Sequence, residues 1–201
     1  MYSPIKASFP MTFIESRTFE KQQFQEQPLV KGEYENCSFK QCDFSNTDIS
    51  GIRFQECQFV DCNLSLAKIA KTAFQDCIFS HCKMLGIRWD QCDEFGLTFR
   101  FENCQLNHSS FYKTKIKKTY FGHCQLQEVD FTECDLSGSE FVHCDLLKAL
   151  FDRTNLEKAD LRTASHFSID PENNRIKKAK FSIYGLPGLL HQYDIVLDSN
   201  H

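Results

Sequence analysis

All eleven cysteines of this chain fall on one position of a five-residue repeat. Cys37, Cys42, Cys57, Cys62, Cys77, Cys82 and Cys92 share one phase. Cys104, Cys124, Cys134 and Cys144 share a second, displaced by two residues. The phase holds from about residue 17 to 92, slips once, and holds again to about 164. Two residues after each cysteine position stands a large apolar side chain, such as Phe19, Phe39, Phe59 and Phe79 before the slip and Phe101, Phe121 and Phe141 after it. The cysteine position itself is Cys, Ala, Ser, Thr, Val or Ile in nearly every unit, and the other three positions are mostly polar. A period of five matches neither a helix nor a free strand. It matches a coil in which each unit supplies one small inward residue, one large inward residue and a corner.

A second period is superimposed. Cys42, Cys62, Cys82, Cys104, Cys124 and Cys144 are spaced by 20, 20, 22, 20 and 20 residues. Four units therefore make one turn, and like residues stack on like. The expected fold is all-β: a right-handed quadrilateral parallel β-helix of about seven coils, roughly 35 Å long at a strand-like spacing of about 4.8 Å per coil. Each buried Phe or Leu contributes roughly 1.5–3 kcal/mol relative to exposure. A reduced thiol fits the small position as a compact, mostly apolar group.

Three longer stretches carry a resemblance: CQFVDCNLSL at 57–66, CKMLGIRW at 82–89 and SIDPENNRIKKAKFS at 168–182. With the repeat, they resemble the pentapeptide-repeat proteins, and within them the gyrase-protecting group of albicidin-resistance, microcin B17 immunity and Qnr quinolone-resistance proteins. The resemblance implies a DNA-mimic protein that binds DNA gyrase, a type II topoisomerase, and protects it from a poison or toxin. It also implies a homodimer of two rods joined tail to tail. Some Qnr proteins carry long extruded loops; this chain has no insertion of that size.

Composition sets limits on the alternatives. No segment approaches eighteen apolar residues, so no membrane span is expected. The N-terminus lacks the basic-then-apolar run of a secretory signal. Eleven cysteines without such a signal point to free thiols in a reducing, cytoplasmic setting. A net charge of −4 and a pI near 6.0 argue against direct nucleic-acid binding, which needs an excess of Lys and Arg.

Along the chain, residues 1–16 read as a lead-in segment, 17–166 as the β-helix and 167–201 as a C-terminal cap and dimerisation module. The first coil is weak, with Arg17, Gln22, Gln27 and Gly32 at the small position. The phase slip lies in a two-residue bulge near 93–98. There Glu94 falls where an apolar residue is due, and Phe95 or Leu97 turns inward instead, with Gly96 permitting the bulge. In the C-terminal module, Ile176, Ala179 and Phe181 suggest a last strand, and Ser182 a cap for a short helix to Leu190. An open β-helix end must be covered. The candidate dimer contacts are Phe181, Leu186, Leu189, Leu190, Ile195 and Leu197; a monomeric cap would use the same residues.

Sorting outward positions by the twenty-residue register gives the candidate partner-binding residues. Glu33, Glu35, Glu56, Asp76, Asp93 and Glu94 share one face over successive coils, against Arg53 alone. Such a stripe is either solvated charge or, as the resemblance implies, a DNA-mimicking surface that occupies a basic groove. Asp130, Glu133 and Asp135 extend the acidic surface in the other half, while Lys113, Lys115, Lys117 and Lys118 interrupt it. His81, His123 and His143 share a corner, but no third ligand of suitable type stands beside them, so neither metal nor cofactor is expected. No nucleophile, base and carboxylate occur at catalytic spacing, and no phosphate loop is present, so no enzyme activity is expected. The alternative reading is a non-catalytic scaffold for another protein partner.

Overall fold

The computed structural model describes residues 12–95, 97–196 and 198. Within these the chain winds into a parallel β-helix with four faces. The first face carries β1 (Thr12–Glu15), β3 (Gly32–Glu35), β5 (Arg53–Gln55) and β7 (Ala73–Gln75), paired in that order. The second carries seven parallel strands: β2 (Thr18–Glu20), β4 (Ser38–Lys40), β6 (Gln58–Val60), β8 (Cys77–Ser80), β9 (Phe99–Glu102), β10 (Tyr120–Gly122) and β11 (Glu140–Val142). The other two faces are stacked turns joined by single parallel bridges, for example Gln105 to Gln125 to Asp145 and Ser110 to Asp130 to Leu150. Like pairs with like: Phe39 with Phe59 and Phe101 with Phe121.

The sequence repeat explains each part. The large inward residues form columns of stacked rings, with Phe39, Phe59 and Phe79 at centroid spacings of 4.9 and 4.8 Å. Rings on adjacent faces meet edge to face, as Phe54 does Phe59 at 5.3 Å. The small position does more than leave room. Its thiol or hydroxyl donates to the carbonyl of the large residue one coil earlier: Cys62 Sγ to Phe39 O at 3.3 Å, Cys144 Sγ to Phe121 O at 3.2 Å, Thr72 Oγ1 to Ile49 O at 2.9 Å. All eleven cysteines are free and buried. Burial pushes the Cys57 thiol up to about 12, so it stays a protonated donor to Tyr34 O at 3.3 Å.

Among the described residues most corners are a left-handed residue two places after the large one. Asn36, Glu56, Asp76, His123 and Lys118 all have φ between 51° and 57°, or close to it, at 52°, 53°, 52°, 52° and 57°. Asn, Asp and His tolerate that region better than most side chains. Here the register also holds Lys and Glu in it.

Three features depart from the simple ladder. First, it starts earlier than residue 17: β1 pairs with β3, Ile14 lying beside Tyr34. The Thr12 carbonyl explains Gly32, because a Cβ there would lie 2.2 Å from it. Second, the bulge is confined between Asp93, whose N–H bonds Thr72 O at 3.0 Å, and Thr98, whose N–H bonds Phe74 O at 3.0 Å. Leu97 is the residue that turns in, while Phe95 is 84% exposed. Phe99 occupies a small position, beside Cys77, and its ring packs on Trp89 at 5.1 Å. Gly96 lies outside the described residues. Third, the ladder continues past residue 166. Arg175 bridges Asn155 and Lys180 bridges Asp160, as isolated contacts and not as the expected last strand.

The end is closed by a compact cap. Ser182 Oγ accepts from Gly185 N–H at 3.1 Å and starts a short 3₁₀ turn, Ile183–Gly185. A single helical turn follows, α1 (Pro187–Leu190). It lies against Phe167 so closely that a Cβ on Gly188 would meet Phe167 O at 2.3 Å. Among the described residues, no helix is long and apolar enough to cross a membrane.

Candidate partner-binding face

The carboxylates singled out in the sequence lie on the first face. Glu33 and Glu35 flank buried Tyr34 on β3, so the strand alternation turns both outward. Glu56 and Asp76 occupy the left-handed corner after β5 and β7 and stack directly, through the bond from Glu56 N–H to Gln75 O at 2.8 Å. Asp93 continues the column of Glu33, Arg53 and Ala73, and its Oδ1 accepts from Phe95 N–H at 3.1 Å. Glu94 is exposed in the bulge. Arg53 Nε lies 3.4 Å from Glu33 Oε1. Among the described residues, Glu35, Glu56, Asp76 and Glu94 make no ion pair.

The structure adds Glu15, which stands beside Glu35 in the β1–β3 pair. It belonged to the expected lead-in, although Ile14 is one twenty-residue period before Tyr34. Seven carboxylates thus face one arginine in the N-terminal half of this face.

The same face changes sign beyond the bulge. The lysines expected to interrupt an acidic track begin a basic one. Lys118, Lys158 and Lys178 are left-handed corner residues in the column of Glu56 and Asp76. Lys115 lies one coil below Asp135, and Arg175 ends that bridge column. The register applied to Lys118 would have found Lys158 and Lys178. Acidic residues expected to extend the stripe are instead neutralised. Glu133 pairs with Lys113 at 3.5 Å and Arg153 at 3.1 Å, and Asp135 with Lys117 at 3.3 Å. Asp130 accepts from Thr132 N–H at 2.9 Å on the fourth face.

The repeat registered in the coils decides the family. Residues 33–100 and 87–161 match the family described as the pentapeptide repeat region. The chain belongs to the pentapeptide-repeat family. No curated protein matches its sequence. Among solved structures, a trypsin-treated variant of QnrB1, a plasmid-mediated fluoroquinolone resistance protein, is similar with a TM-score of 0.61 at 18% identity. That match covers 94% of this chain and 98% of QnrB1. Full-length QnrB1 gives a TM-score of 0.61 at 17% identity, covering 92% and 100% of the two chains. HetL, a pentapeptide-repeat protein involved in heterocyst differentiation regulation from the cyanobacterium Nostoc, gives 0.44 at 16% identity, over 83% of this chain and 86% of HetL. At these identities the likeness to QnrB1 is one of fold.

In this pentapeptide-repeat rod the candidate dimer residues divide by exposure. Phe181 and Leu189 pack against the core of their own chain. Leu190 is half-buried, Leu186 and Ile195 are exposed, and Leu197 lies outside the described residues. Ile183, Tyr184 and Val196, exposed by 75%, 92% and 96%, were missed because they follow the repeat and carry no periodic signal. His123 and His143 stack at 5.0 Å, yet among the described residues no group of three or more side chains is placed to hold a metal. A cleft of about 390 Å³ opens at the bulge, between Trp89, Leu97 and Phe95 on one side and Tyr112, Lys113 and Lys115 on the other.

Proposed function

We propose that this protein is a non-catalytic DNA mimic that binds DNA gyrase and shields it from a poison or toxin, as an antibiotic-resistance or self-immunity factor. The observation that carries this is the acidic N-terminal half of the first face. Carboxylates recur there coil after coil, at about the 4.8 Å rise of a parallel stack, on a rigid rod. Duplex DNA presents phosphates about 3.4 Å apart along each strand, so a basic groove built for one array of anions attracts the other. The whole-length likeness in fold to QnrB1 supports the same reading. The exposed apolar residues of the cap, Ile183, Tyr184, Leu186, Ile195 and Val196, support tail-to-tail pairing of two rods.

The test is a gyrase supercoiling assay with and without albicidin or a fluoroquinolone. The protein should inhibit supercoiling alone at high ratio or restore it in the presence of drug. Asp76→Lys with Glu56→Lys should abolish the effect while circular dichroism stays unchanged, since both side chains are exposed corner residues. No effect of wild-type protein in large molar excess ends the proposal.

The basic continuation of the same face favours a second reading, a scaffold for a partner of mixed charge. Recovery from a pull-down of a partner other than gyrase, whose binding needs Lys118 and Lys158, would select it.

A further inference from the structure

We propose that the C-terminal half of the first face binds the phosphate backbone of duplex DNA. This goes beyond the gyrase reading and does not rest on it, since it uses none of the acidic half.

The cations of this half are gathered by the register. Lys115, Lys117 and Lys118 lie on one coil. Arg175, Lys177 and Lys178 lie three coils later at the end of the same columns, and Lys158 stands between. Two carboxylates share these four coils of the face, and each is already held: Asp135 lies 3.3 Å from Lys117, and Glu157 lies 2.9 Å from Arg175. Among the described residues, Lys115, Lys118, Lys158, Lys177 and Lys178 make no ion pair, and all five are exposed. In the columns that flank the face, Glu133 is paired with Lys113 and Arg153, and Asp160 with Arg162 and Lys180. Glu140 is the one carboxylate of those columns without an ion pair among the described residues. The chain's net charge of −4 conceals this surface, because the opposite charge sits at the other end of the rod. At about 0.15 M salt, charges are screened over about 8 Å, less than two coil rises of about 4.8 Å each. A duplex crossing the rod between Gly138 and Lys158 lies more than two coils from Asp93, so it feels mainly the lysines.

Two further features favour duplex DNA over other polyanions. The surface offers no apolar anchor: Ile116, Leu136 and Leu156 are buried beneath the lysines, and Ile176 is half-buried. A protein partner binds chiefly through a desolvated apolar or aromatic centre. Nor does it offer a free ring on which an unpaired base could stack; Tyr120, on the neighbouring face, is covered by the Arg100 guanidinium, 3.8 Å from its centroid. What remains is positive charge on long flexible stems. That chemistry holds a duplex backbone without reading its sequence.

Fluorescence anisotropy of a short labelled duplex tests this. The protein should bind it at micromolar concentration in about 50 mM salt, and about 10²–10³-fold more weakly in about 200 mM, as the release of about five counterions requires. Lys118→Glu with Lys158→Glu should weaken binding at the lower salt at least tenfold and flatten the salt dependence. Left-handed corners already hold Glu56, Glu128 and Glu133, so the coil accommodates both changes, and circular dichroism should be unaltered. No binding at the lower salt, indifference to the paired substitution, or a salt effect under tenfold over that range each overturns the proposal. Equal affinity for poly-glutamate overturns it too, as does tighter binding of a single strand of the same length. The paired substitution leaves every carboxylate of the acidic half in place, so DNA binding and gyrase protection can each fail without the other.

Discussion

At the residue scale, the small position of the repeat has two roles. It is compact, as the spacing of the cysteines suggested, and it also hydrogen-bonds the coil before it. Compactness admits Ala, and the second role accounts for Cys, Thr and Ser: Ser109 Oγ reaches Met84 O at 3.0 Å and Thr154 Oγ1 reaches Phe131 O at 2.8 Å. The carbonyl of Phe131 also accepts from Cys134 N–H, so deleting one donor does not strand it. Thr154→Val should therefore cost about 1 kcal/mol in urea unfolding. Phe121→Ala is a different kind of loss. Its ring is sandwiched at 5.3 and 5.0 Å between Phe101 and Phe141, and the resulting cavity should cost about 3–5 kcal/mol in the same measurement. The ring positions could be read from the sequence because burial follows the period. The donor role could not, since a thiol and a methyl satisfy the same spacing.

At the scale of elements, the coil itself was legible and its ends were not. Phe39, Phe59 and Phe79 announce a stack by recurring every twenty residues. Ile14 carries the same period only once more, after a weak coil, and so the first strand escaped. At the other end Pro171 interrupts the apolar position, yet Asn174 restores the ladder. Its buried amide donates to Phe151 O and Asp170 O at 3.0 Å each and accepts from Thr154 N–H at 2.8 Å. One side chain thus closes backbone groups of two coils, a pattern no periodicity can reveal. Asn174→Ala leaves the Thr154 N–H buried without its acceptor, and should cost about 2–3 kcal/mol. Hydrogen exchange of the Thr154 amide should accelerate, while amides of β4 and β6 remain protected; unchanged Thr154 exchange would contradict the assignment. The bulge was located by the phase slip, but the choice of Leu97 over Phe95 depended on the space that Phe99 fills beside Trp89.

For the whole molecule, the faces could be sorted by register, so the acidic residues were brought together as expected. The change of sign along the rod is harder to see in the sequence, because its lysines lie twenty or forty residues apart. Along the chain Lys118 stands in a local cluster with Lys113, Lys115 and Lys117, while the register carries it to Lys158 and Lys178. A rod of stacked coils also has a simple mechanical character: each coil touches only its neighbours. Opening should begin where a coil has one neighbour and spread inward. The free thiols then act as a built-in set of distance markers along the axis. Cys42, Cys62, Cys82, Cys104, Cys124 and Cys144 occupy successive coils, all buried and all unpaired. Under native conditions a small alkylating reagent should modify Cys42 and Cys144 first and Cys82 and Cys104 last, as resolved by peptide mass spectrometry. Equal rates along the column would mean the rod opens in one step. The residue that shapes the core is also a tally of how far the core has come undone.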